Sequence, residues 1–285
     1  METVRNDFAP KGVKFYYIYK SLAHPGIRGY VSPLTIQERL MHVHEAKRLL
    51  GSKIPWLCDT MDNDFKHALG NAQNSEFLID PEGKVITRQP WSHPENLRKV
   101  LETIIGPVDR PTTLSDLGTE FIVKWPSSKI PSGLIPKLQL PNKMVPLTIL
   151  PLKQESSLPF YVKLHAQVDH SFLDHGKGKL YLGFFLDPIY KVHWNNLTKP
   201  LEFSLKIPTG VNIAPTKGFA PKVKEPADKD PREFILAIDS SNYEQPLVLK
   251  TRYFACDDAD TFCVPVTQQY SVYLKPDLDG GSMQQ

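Results

Sequence analysis

Leu247 Val248 Leu249 Lys250 Thr251 Arg252 Tyr253 Phe254 Ala255 Cys256 Asp257 Asp258 Ala259 Asp260 Thr261 Phe262 Cys263 Val264 Pro265 Val266 is the stretch that decides the fold of the C-terminal half. Leu247, Leu249, Thr251 and Tyr253 alternate with their neighbours, and a second β pattern runs from Val266 to Leu274. The acidic residues between them read as the turn of an antiparallel hairpin. Two of the chain's 3 cysteines stand in this stretch. The spacing suits a cross-strand disulfide, with Cα atoms near the roughly 5.5 Å that such a bond prefers. Closing so short a loop stabilises a domain by roughly 2.5 kcal/mol, which leaves a redox role as reasonable as a structural one.

Working outward, the pattern stays β from Phe160 onward: Tyr161–Val168, Lys179–Leu186, Leu201–Ile207, Glu233–Ile238, Leu247–Ala255 and Val266–Leu274. Short strands parted by Pro, Gly, Asn and Asp predict an immunoglobulin-like β-sandwich over residues 152–278, with 279–285 as a disordered tail. Upstream, prolines fall at 126, 131, 136, 141, 146 and 151, each after an apolar or aromatic residue. Proline at that density does not enter a helix or a central strand, so 108–151 reads as a stiff, extended tether whose apolar residues pack on the domains.

Residues 1–107 alternate strand and helix signals and predict an α/β domain. Val13–Tyr19 is β-branched and aromatic. Leu34–Leu50 places Leu40, Val43, Ala46, Lys47 and Leu50 at helical spacing and stops at Gly51. Trp56–Cys58 reads as a short strand and Asp62–Leu69 as a short helix. Glu76–Asp80 and Lys84–Arg88 make a hairpin around Pro81 Glu82 Gly83, and Pro94–Ile105 a closing helix.

The segments Tyr17 Ile18 Tyr19 Lys20 Ser21 Leu22 Ala23 His24 Pro25 and Asp59 Thr60 Met61 Asp62 Asn63 resemble the iodothyronine deiodinase family and its bacterial relatives. Phe77 to Val85 is similar to the strand, turn and strand of peroxiredoxin-like redoxins. The resemblance implies a thioredoxin-like fold for residues 1–107. It also implies that a central strand and a reactive cysteine or selenocysteine precede the residues matching Met1–Pro10, so the chain is expected to start inside the following helix. His24, on the same resemblance, assists proton transfer near that nucleophile; read from the residues alone it is equally a surface loop histidine beside Pro25. Tyr190 to Asn196, the run around Pro208, and Ala255 to Pro265 resemble the N-terminal immunoglobulin-like domain of the thiol:disulfide interchange protein DsbD. That likeness implies a redox-active pair at Cys256 and Cys263 and a periplasmic or extracytoplasmic setting.

The remaining residues narrow the chemistry. Asp257, Asp258 and Asp260 raise the thiol pKa values of a reduced pair, which suits it to receiving attack as a disulfide. Cys58 reads as an inert core residue. His42 and His44, two apart on a helix, read as solvated, and Trp194 as packing in the sandwich or lining the cysteine pocket. No second Cys or His pair has zinc-ligand spacing, and no cofactor site is read. With 34 basic and 31 acidic residues the net charge is +3, and no basic run is interleaved with aromatics, so nucleic acid is not the expected partner. No apolar stretch is long enough to span a bilayer, and the polar start Met1 to Asp7 is not a secretory signal pattern. The expectation is a two-domain thiol oxidoreductase with a thiol or disulfide partner protein. Its substrate is a peroxide, a protein disulfide or a halogenated organic molecule. The competing expectation is a non-enzymatic interaction protein with a structural disulfide.

Overall fold

The computed structural model of the chain describes residues 1–70, 73–118, 129–140, 143–152, 158–240 and 244–281. It divides into two compact units, Met1–Lys20 with Thr35–Pro126 and Ser21–Leu34 with Ser127–Gln285.

The first unit holds α1 (Glu2–Phe8), β1 (Tyr17–Tyr19), α2 (Ile36–Leu50), β2 (Trp56–Cys58), α3 (Asp64–Leu69), β3 (Glu76–Ile79), β4 (Val85–Gln89) and α4 (Pro94–Ile105). Leu97 and Leu101, one helical turn apart, bury against Val4 and Phe8 of α1, with Val13, Phe15 and Leu78 around them. Asp7 ties this small core to the segment after α4: it pairs with Arg98 and accepts from the Thr112 backbone at 3.1 Å.

The α/β thioredoxin-like sheet expected for residues 1–107 is not formed. β1 and β2 pair parallel, β3 and β4 pair antiparallel, and among the described residues no strand joins the two pairs. The cause is local. Val13 and Phe15, read as the first half of a long buried strand, pack on the α1–α4 core, leaving a strand of 3 residues that is only half-buried.

Helix α2 also departs from its pattern. Leu40 and Leu50 are 40% and 45% exposed, while Glu38, Arg39, His42 and Val43 are buried. Its docking is polar. Arg39 Nη1 donates to Asp59 O at 3.3 Å and to Asn63 Oδ1 at 3.1 Å, and also to Thr60 O. His42, expected to be solvated, meets the Tyr19 hydroxyl at 2.8 Å through Nδ1, whereas His44 is exposed. The Asp59 carboxylate caps α3 by accepting from Phe65 N and Lys66 N, both at 3.0 Å.

The second unit is β-rich: β5 (Met144–Pro151), β6 (Val162–Asp169), α5 (His170–His175), β7 (Lys177–Leu186), β8 (Val192–Asn195), β9 (Glu202–Lys206), β10 (Val211–Ala214), β11 (Lys217–Phe219), β12 (Ala227–Asp228), β13 (Arg232–Ser240), β14 (Leu247–Asp257) and β15 (Cys263–Pro276). They form one 11-stranded sheet in the order β10-β13-β7-β6-β5-β15-β14-β8-β12, with β9 on β14 and β11 on β9. This corrects the expected immunoglobulin-like sandwich of two separate sheets. The sheet is continuous through β5 and curls so that its halves enclose one core. Phe184 of β7 stacks 6.3 Å from Phe203 of β9, and Phe203 meets Phe234 of β13 at 4.7 Å.

Strand β5 explains the continuity. Met144, Val145 and Pro146 pair with β6, while Leu147 to Pro151 pair with β15. Two prolines thus sit in a strand with neighbours on both sides, which proline density alone appeared to forbid. Pro146 stands where the strand changes partner and Pro151 at its end, so neither position calls for a ladder N–H on both edges.

Upstream of β5, residues 129–140 form no helix or strand, and Gly133 turns through a left-handed φ of 82°. The Asp230 carboxylate accepts from the backbone of Gly133, Leu134 and Ile135 at 2.5, 2.6 and 2.9 Å. Glu233 accepts from Leu138 N at 3.2 Å. Pro126 and Pro141 lie outside the described residues, as does most of the expected C-terminal tail; Asp279 and Gly280 close a turn on Asp277. Among the described residues no helix is long and apolar enough to cross a membrane.

Candidate functional site at the Cys256–Cys263 hairpin

Strands β14 and β15 run in register to their ends, and the last pair in the ladder is Cys256 with Cys263. The two are disulfide-bonded with Cα atoms 4.0 Å apart. That is closer than the roughly 5.5 Å expected, because the pair occupies a non-hydrogen-bonded position of the antiparallel ladder. The adjoining bond, Asp257 N to Phe262 O at 3.1 Å, lies one residue beyond it.

The acidic turn is self-capped. Asp257 accepts from Phe262 N at 3.0 Å and from the Thr261 backbone and hydroxyl at 2.5 and 2.8 Å. The Phe262 N–H bond, with those from Thr261, holds the Asp257 carboxyl below the usual carboxylate range. Asp260 takes the left-handed conformation, φ 58°, which aspartate tolerates better than most side chains. Phe262 then anchors the turn to the body of the unit. Its ring lies 5.8 Å from Tyr161, which meets Tyr190 edge-on at 5.4 Å, and Lys163 Nζ sits 5.1 Å over the Tyr190 ring.

The two sulfurs are not equivalent. Cys256 is 6% exposed, whereas Cys263 is exposed. On the other side of β14, strand β8 pairs His193 with Cys256 and Trp194 with Ala255. His193, Cys256 and Cys263 therefore stand abreast on three neighbouring strands. Asn195, two residues along from His193 and on the same face, donates from Nδ2 to Cys263 Sγ at 3.1 Å. His193 is 5% exposed, and its Nδ1 lies 3.4 Å from Asp258 Oδ1 without completing a hydrogen bond. The other Asp258 oxygen pairs with Lys229 Nζ. His193, Asn195 and the two cysteines face an open cleft of about 400 Å³ whose rim includes Leu197, Pro226 and Phe262, with Leu197 79% exposed.

Behind the cleft a buried polar network holds β8 rigid. Trp194 Nε1 donates to Asp230 O at 2.7 Å, and Arg232 packs 4.9 Å over the indole. Arg232 forks onto Asp228 at 2.9 and 2.7 Å, and Asn196 donates to the same carboxylate at 2.7 Å. Burial works to raise the Asp228 carboxyl, but the Arg232 and Asn196 contacts outweigh it and hold the group below its ordinary range.

Of the residues singled out in the sequence, Cys256 and Cys263 are brought together as expected. His24 is not among the residues lining the cleft. It lies half-buried in the 21–29 turn of the second unit, where its carbonyl accepts from Ile27 N at 3.5 Å. Cys58 lies in β2 of the first unit, half-buried rather than in a core; desolvation pushes its thiol up, and Sγ donates to Asp59 O at 3.4 Å. Trp194 is in the core. Sequence reading gave no role to His193, Asn195 or Lys229, and read Asp258 only as one of the carboxylates that raise the thiol pKa values, not as a partner of His193 and Lys229. The alternation of buried Val192 and Trp194 with His193 and Asn195 marks β8 as a strand, but nothing in it tells that β8 lies beside the cysteines. Among the described residues no group of three His, Cys, Asp or Glu side chains is placed to hold a metal ion.

No protein-family model matches the chain, and no curated protein matches it.

Proposed function

We propose that the protein is a thiol–disulfide exchange protein whose working bond is Cys256–Cys263 and whose partner is a protein dithiol. The observation that carries this is the exposed Cys263 sulfur at the mouth of an open cleft, accepting the Asn195 amide at 3.1 Å. In the reaction a partner thiolate attacks Cys263 Sγ, forming a mixed disulfide, and the electron pair of the broken bond leaves on Cys256 Sγ. The partner's second thiolate then attacks its own mixed-disulfide sulfur. The partner is left oxidised to a disulfide and the two cysteines reduced.

The energetics of the hairpin support the reading. The disulfide's loop-closure contribution is roughly 2.5 kcal/mol. The β14–β15 ladder, the Asp257 cap and the Phe262–Tyr161 contact are all made by groups other than the two sulfurs. A reducible bond in a hairpin held by other means can cycle without unfolding its unit. The likeness of the hairpin to the N-terminal domain of DsbD points the same way.

The test is a redox titration of the full chain in glutathione buffers, with alkylated Cys256 and Cys263 peptides counted by mass spectrometry. Exchange requires a potential above roughly −300 mV, the boundary below which structural disulfides of secreted proteins lie. A lower potential, together with a large loss of thermal stability in Cys256→Ala, leaves a structural disulfide in an interaction protein.

A further inference from the structure

We infer that His193, whose Nδ1 lies 3.4 Å from Asp258 Oδ1, delivers a proton to Cys256 when the disulfide opens. The inference rests on the reading of Cys256–Cys263 as an exchanging pair.

Register partners on antiparallel strands have Cβ atoms about 5 Å apart, so the His193 and Cys256 side chains are neighbours on one face. Both line the same cleft. The imidazole is buried, and its Nδ1 has no hydrogen-bond partner although Asp258 Oδ1 is 3.4 Å away. An orphaned polar atom on a buried ring carries a free-energy cost and calls for an explanation. A ring that hands on a proton supplies one, because Nδ1 beside the carboxylate is then left to carry or release it. Lys229 fixes Asp258 from its other oxygen, so the carboxylate stays in place beside the ring.

The surroundings explain why a proton is needed. Opening the bond by attack on Cys263 puts negative charge on a sulfur that is 6% exposed. Asp257 and Asp258 follow it in the chain and Asp260 lines the cleft. Of the nearby cations, Arg232 is committed to Asp228 and Lys229 to Asp258, and Lys191 lies at the entry to β8. A buried thiolate among carboxylates is unfavourable, and His193 is the group beside it that can neutralise it. The step balances: thiolate, disulfide and imidazolium become the mixed disulfide on Cys263, the Cys256 thiol and neutral imidazole.

The experiment measures the rate at which dithiothreitol reduces the disulfide in the full chain between about pH 5.5 and 8. Rates are divided by the dithiothreitol thiolate concentration, so that the remaining pH dependence belongs to the protein. The wild type should react faster per thiolate as pH falls. His193→Gln should lose that rise and run about 100-fold slower at the acid end, the lower range for general acid catalysis. In Asp258→Asn, a change in an exposed turn, the rise should flatten, because the carboxylate 3.4 Å from His193 Nδ1 is gone. Equal profiles for wild type and His193→Gln, both readily reduced, overturn the role of His193 and leave the exchange reading standing. Should His193→Gln not fold, an unmoved Asp258→Asn profile overturns it instead. A wild-type bond that dithiothreitol does not reduce without denaturant overturns both readings.

Discussion

The Asn195 amide and the Cys263 sulfur are joined by a hydrogen bond of 3.1 Å that reaches from β8 across β14 to β15. Its direction is fixed by a second contact. Asn195 Oδ1 accepts from Leu197 N at 3.0 Å, so the NH₂ group must be the end that meets the sulfur. A donor held there favours the more negative sulfur of the exchange transition state.

Replacing Asn195 by Ala should therefore slow reduction of the disulfide about 10-fold, the rate equivalent of one hydrogen bond of about 1.4 kcal/mol. Asn195→Asp should be slower still, since a carboxylate repels the incoming thiolate. Quenched-flow alkylation with dithiothreitol as reductant measures both. Wild-type rates in both variants would show that the amide only ties β8 to the hairpin.

The two halves of the curled sheet are joined by two buried tyrosine hydroxyls. Tyr253 of β14 donates to Gln268 Oε1 at 3.0 Å and accepts from Val162 N at 3.2 Å, and Tyr270 of β15 donates to Val162 O at 2.8 Å. Burial pushes the Tyr253 hydroxyl well up, which keeps it a donor. Tyr253→Phe and Gln268→Leu should each cost roughly 1 to 3 kcal/mol, the range for leaving a buried partner unsatisfied. Their double variant should cost less than the sum, because both break the same bond. Urea unfolding of the four proteins gives the cycle; additive losses would mean that the pair is not coupled.

What was legible in the sequence follows from period and spacing. Alternation located β6, β7, β13, β14 and β15, and the Pro94 start and Gly106 stop bounded α4, because these signals are local. Three things were not local. The partner change in β5 depends on β6 and β15 approaching the same strand from opposite sides. The buried face of α2 is polar because Asp59, Asn63 and Tyr19 meet it with hydrogen bonds, which no apolar pattern reveals. The neighbours of the cysteines come from β8, more than sixty residues upstream, where four residues, Val192–Asn195, are too short a run to declare their partner. In the first unit, Val13 and Phe15 read as strand because β-branched and aromatic residues suit both a sheet and a small helical core.

The segment over 129–140 is held by two carboxylates, Asp230 at Gly133 to Ile135 and Glu233 at Leu138. Asp230 accepts three consecutive backbone N–H groups, and its own backbone carbonyl holds the Trp194 indole. Asp230→Ala should free the segment at a cost of roughly 2 to 3 kcal/mol, in the range for hydrogen bonds to a charged group. Limited proteolysis should then cut between Ile130 and Leu140 far faster than in the wild type. Equal cleavage rates would place the anchoring elsewhere.

The last prediction concerns acid. His165 on β6 is buried beside the Tyr181 ring, at a centroid separation of 6.5 Å, and burial lowers its pKa from 6.5 to about 4. The folded unit therefore keeps this imidazole neutral between those values, while the unfolded chain takes up a proton. The contribution is fully present above the ordinary histidine value and is lost as pH falls, by about 3 kcal/mol once the folded value is reached. Asp228 acts with the same sign in a lower window. Its depressed carboxyl stabilises the fold above the ordinary carboxylate range and loses that effect only as pH falls below it, so the two windows are distinct. Urea unfolding of the wild type should show a steady fall in stability between about pH 6.5 and 4.5, roughly two-thirds of the full histidine effect. His165→Met, which fills similar space and cannot titrate, should be flat across that window. A His165→Met protein that loses stability as steeply as the wild type would assign the acid sensitivity to another group.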